Sequence, residues 1–126
     1  QVAIIGTGPV LAEAMVAAEE LTRTDLVTQV INLHTIKPID ELTIIRAAKT
    51  CGAVVTVEEH QIIGGMGSAV AEVLARNFPV PIEFIGVNDS FGESAKDYDE
   101  LWKKFSLKSE NIIEAVKKVI SRKSSI

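Results

Sequence analysis

The chain has 126 residues, 47% of them hydrophobic and 24% charged, with a formal net charge of −4. That is the size of one ordinary domain, with enough apolar side chains for a real core. The acidic balance argues against a generic nucleic-acid binder, no apolar run approaches the roughly 18 residues that span a bilayer, and a single cysteine, Cys51, excludes an internal disulfide or multi-thiolate metal site.

Residues 1–6 lack the basic start of a signal peptide and read as a buried strand over residues 2–6. With no initiator Met, and opening inside such an element, the sequence is expected to be a piece of a longer polypeptide. Thr7-Gly8-Pro9 breaks the strand, and Leu11, Ala14, Met15, Ala18 and Leu21 then follow helical spacing. Residues 27–33 form a second strand. His34 to Ile39 is a connection, because Pro38 disfavours helix at the residue before it. Asp40 is the expected N-cap of a helix over residues 41–50, and Gly52 its stop. Residues 53–57 form the third strand. Gly64-Gly65-Met66-Gly67 leads to Ser68, the expected N-cap of a helix that buries Val70, Val73 and Leu74. Residues 82–87 are the fourth strand, followed by a polar loop over 88–96. Asp97 and Glu100 fit a capping box before a short helix ending near Phe105. Ser109 opens a last helix with the face Ile112, Ile113, Val116, Val119 and Ile120.

Strand and helix alternate, and the strands are apolar throughout. That pattern predicts an α/β domain with a parallel, doubly wound sheet in three layers, α/β/α. One domain over residues 1–121 is expected, with a Ser- and Lys-rich tail over 122–126. Residues 1–95 carry five basic and twelve acidic side chains, and residues 96–126 carry eight and five. The basic excess reads as a solvated helix face. The lone cysteine fits a reducing, cytoplasmic location.

Gly6-Thr7-Gly8-Pro9-Val10-Leu11 has the outline of a dinucleotide fingerprint but fails two tests. Leu11 stands where close helix–strand packing wants a small residue. The second strand ends in Asn32-Leu33-His34, with no acid for a ribose hydroxyl. Glu58-Glu59-His60 lies at the carboxyl end of the third strand, where doubly wound sheets bind ligands. Glu58 and His60 share a face if the strand lasts that far, and a carboxylate with an imidazole can do acid–base work. A strand-edge histidine is more often structural. His34 and His60 with scattered acids make a weak metal signal. Trp102, Tyr98 and Phe105 read as packing, and Ser68, Ser90 and Ser94 as cap or loop residues. The glycine turns permit close backbone approach, which serves a ligand phosphate and a partner backbone equally well. The candidate anion or domain-interface residues are therefore Thr7, Gly8, His60, Gly64, Gly65 and Gly67, with no catalytic, cofactor-binding or metal-ligating set.

Three segments, in order along nearly the whole chain, resemble the C-terminal domain of transketolases. They are Ile31 through Asp40 (Ile-Asn-Leu-His-Thr-Ile-Lys-Pro-Ile-Asp), Thr56 through Gly67 (Thr-Val-Glu-Glu-His and the Gly-Gly-Met-Gly turn), and Phe91-Gly92-Glu93-Ser94 with Glu100 through Phe105. Ala95 and Ser106 stand where the family usually has glycine. The resemblance implies a four-stranded, mainly parallel sheet in order 2-1-3-4, with the switch point between the first and third strands and an extra antiparallel strand before the chain begins. It also implies an enzyme that moves two-carbon ketol units between sugar phosphates. Thiamine diphosphate and a divalent metal would be bound by other domains or a partner subunit, in a homodimer. No family catalytic residue maps onto this chain, so the domain alone is expected to be inactive and to complete the assembly. Neither nucleic acid nor membrane is an expected partner. The corresponding domains of deoxyxylulose-phosphate synthase and of the 2-oxo-acid dehydrogenase β subunit are similar. His34-Thr35-Ile36-Lys37 and His60 favour transketolase over both. A free-standing dimerisation or regulatory module that binds a small anion is the non-enzymatic alternative.

Overall fold

In a computed structural model, residues 1–33, 38–61, 65–87, 103 and 107–123 are described, with only the backbone at 60 and 61. Of the expected helix near Phe105 only Lys103 is described, and it is helical; the loop over 88–96, His34 and the glycine substitutes Ala95 and Ser106 lie outside the described residues.

Four strands form one parallel sheet in the order β2-β1-β3-β4. They are β1 (Val2–Gly6), β2 (Thr28–Asn32), β3 (Val54–Gln61) and β4 (Ile82–Val87). Among the described residues, the helices with both ends defined are α1 (Leu11–Thr22), α2 (Glu41–Cys51), α3 (Met66–Asn77) and α4 (Ser109–Lys123). β1 is interior to the sheet, with Ile4 in register with Val30 on one side and Val55 on the other. Every residue of β1 is buried, which is why its sequence is apolar without alternation.

Successive β1 side chains still go to opposite faces. Val2 and Ile4 join Val55, Val57, Ala14, Ala17, Ile112, Val116 and Val119, so α1 and α4 cover that face. Ala3 and Ile5 join Val54, Ile44, Ala48, Val70 and Leu74, so α2 and α3 cover the other. The three layers and the strand order agree with expectation. Among the described residues, no helix is long and apolar enough to cross a membrane.

Four local differences have physical reasons. β3 extends to Gln61, past the expected end at residue 57, because Gln61 still pairs with Val87 of β4 beyond an irregularity in register. The buried stripe of α1 is Ala14, Ala17 and Leu21, with Val10 just ahead of it, while Met15 is 57% exposed. Apolar residues occur all around this helix, so its sequence supports two phases and packing on α4 selects one. The N-cap of α3 is Gly65, and Ser68 lies inside the first turn. Finally, α4 runs through Lys123, past the expected domain limit at residue 121. Arg122 there donates to the carbonyl of Ile82 and to Glu83, both at 2.6 Å.

The second helix follows its local signals. The Asp40 carboxylate accepts from the backbone N–H of Thr43 at 3.2 Å and from its hydroxyl at 2.7 Å, and Gly52 closes the helix at φ +78°. The Thr43 hydroxyl first, and its N–H second, hold the Asp40 carboxyl below the usual aspartate value.

Candidate functional site

Helix α1 packs with α4 on one face of the sheet and α3 with α2 on the other, so the chain leaves β1 and β3 in opposite directions. The carboxyl ends of these neighbouring strands bound the switch-point crevice. The Thr7-Gly8-Pro9 turn lies on the β1 side and the start of α3 at Gly65 on the β3 side.

On the β1 side, Gly8 is exposed at φ +80°, a conformation that suits glycine. Behind it the first amides of α1 are engaged. Leu11 donates to Gly8, Ala12 to Pro9 and Glu13 to Val10, at 3.1, 3.1 and 2.9 Å. Leu11 leans over Gly6, where an added Cβ would lie 2.6 Å from its Cδ1. The residue that breaks the dinucleotide fingerprint thus fills the space above the strand end. Thr7 is half-buried at the rim. A Cβ added at Gly8 would lie 3.6 Å from Oε2 of Glu59, so a carboxylate from β3 borders this turn.

On the β3 side, Glu58 is fully buried and faces α3. It accepts the N–H of Met66 on Oε1 at 2.8 Å and that of Gly67 on Oε2 at 2.7 Å. Two of the four donors that a helix leaves open at its start are therefore met by one carboxylate, which also sits at the positive end of the helix dipole. Gly65 precedes this cap in extended backbone, at φ −93°. Gly67 presses on the sheet beneath it. Its missing Cβ would lie 2.8 Å from both Glu58 Oε2 and Thr56 Oγ1. Gly64 lies outside the described residues. The backbone of His60 belongs to β3, and its side chain lies outside the description.

The acid–base reading of Glu58 with His60 does not use Glu58 as the structure does. The buried carboxylate accepts two N–H groups of α3. Sequence reasoning missed the cap because the acid lies eight residues before the first N–H that it receives. An acid near a strand end just before a glycine-rich turn was the available signal. A second cap of this kind was also missed. Glu13 of α1 accepts the N–H of Ser109 at 2.9 Å, with the Lys108 ammonium 3.5 Å away, at the start of α4. Among the described residues, no group of three or more His, Cys, Asp or Glu could hold a metal ion. Cys51 is a buried free thiol.

Residues 1–112 match the family described as transketolase, C-terminal domain. The chain belongs to this family. The 6-deoxy-6-sulfo-D-fructose transketolase subunit SqwH of a Clostridium species is 46% identical over 123 residues, covering 98% of this chain and 38% of that protein. The 1-deoxy-D-xylulose-5-phosphate synthase of Thermomicrobium roseum is 41% identical over 95 residues, covering 75% of this chain and 15% of that one. A solved structure titled as a split gene transketolase, inactive beta4 tetramer, superposes with a TM-score of 0.90 at 40% identity, covering 96% of this chain and 39% of that one. The transketolase C-terminal domain seen here therefore spans less than two fifths of the length of each of these relatives.

Proposed function

We propose that this chain is the C-terminal part of a thiamine diphosphate-dependent transketolase that moves a two-carbon ketol unit from a ketose phosphate to an aldose phosphate. The observation that carries this reading is the likeness to the split gene transketolase, at 40% identity over 96% of the chain with a TM-score of 0.90. Residues outside this domain then supply the chemistry. The words "subunit" and "split gene" attached to two relatives favour a parent polypeptide that is itself one of two.

The described residues do not fit the cofactor. They offer no metal-holding cluster, and the amides of Met66 and Gly67 are already taken by Glu58. On this proposal thiamine diphosphate and its divalent metal belong to the other domains, where the cofactor supplies carbanion chemistry. The role of this domain is to complete the assembly, a homodimer in the cytoplasm, and alone it is inactive. Thr7, Gly8, His60, Gly64, Gly65 and Gly67 then serve a domain interface. The Glu59 carboxylate beside the Gly8 turn weighs against a free anion there and favours the interface role.

The test mixes the full-length parent chain with the matching thiamine-diphosphate-binding portion and follows ketol transfer between pentose phosphates, each part alone as control. Activity in the mixture only is expected. Formation of 1-deoxy-D-xylulose 5-phosphate instead would move the assignment to the synthase branch, which the Thermomicrobium relative keeps in view.

A further inference from the structure

We draw no further inference here: the strongest candidate, the outward face of α1 where Met15 and Val16 are 57% and 44% exposed beside an exposed Ala12, is an unpartnered apolar helix face, and nothing in the structure shows what covers it.

Discussion

The ammonium of Lys123, in the last turn of α4, donates to the carbonyl oxygen of Cys51, the last residue of α2, at 2.7 Å and across 72 residues of sequence. Gly52 makes the contact possible: at φ +78° it ends α2, and the Lys123 Cε lies 3.0 Å from where its Cβ would be. A cation at a helix C-terminus meets both an open carbonyl and the negative end of the dipole. Lys123→Met keeps the aliphatic stem and removes the charge. It lowers stability by about 1 kcal/mol, read from urea unfolding. An unchanged midpoint would mean that water serves Cys51 equally well.

Gly67 and Gly8 both belong to glycine turns but resist substitution for different reasons. At Gly67 the backbone is helical and the obstacle is contact, with two oxygens 2.8 Å from the missing Cβ. At Gly8 there is room and the obstacle is φ +80°. Gly67→Ala therefore costs about 1–3 kcal/mol through overpacking. Gly8→Ala costs about 1 kcal/mol through backbone conformation. Thermal unfolding of both variants checks the order, and Gly8→Asn, which tolerates positive φ better, recovers part of the loss at that site alone.

Glu13 bridges α1 to the start of α4, and its side chain is 13% exposed. Glu13→Ala leaves the N–H of Ser109 without its partner and costs about 2 kcal/mol. Lys108→Ala costs less, because the ammonium stands 3.5 Å from a carboxylate that keeps its backbone donor. A chemical denaturation series on the two single variants and the double variant measures the difference and the coupling.

Acid should weaken the start of α2. The folded-state pKa of Asp40 is depressed by its two bonds from Thr43, so its contribution is present above the unfolded value of 3.8 and is lost as pH falls through the lower folded value. Asn caps a helix without titrating. The stability difference between wild type and Asp40→Asn is therefore constant near neutral pH and shifts toward the variant below about pH 4. A difference that does not change with pH would show that the cap is not charge-dependent.

Much of the architecture was legible because its causes are local or periodic. Continuous apolar strands such as residues 2–6 announce burial on both faces, and their alternation with helices announces a parallel sheet. Asp40 and Gly52 bound α2 through contacts within one turn, so their chemistry could be read where it stands. The order 2-1-3-4 and the family came from resemblance in the strand-end segments, and the structure and the family match agree with both.

The sequence by itself determined the class of fold, the local caps of α2 and the failure of the dinucleotide fingerprint at Leu11. Only the tertiary structure decided which face of α1 is buried, where α3 begins, and what Glu58, Glu13 and Lys123 are for. The physical reason is distance along the chain. A cap supplied from within one turn leaves a short pattern, whereas Glu58 reaches α3 across 8 residues, Lys123 reaches Cys51 across 72 and Glu13 reaches Ser109 across 96. Their carboxylates and ammonium find helix ends that exist only after the sheet has brought the elements together.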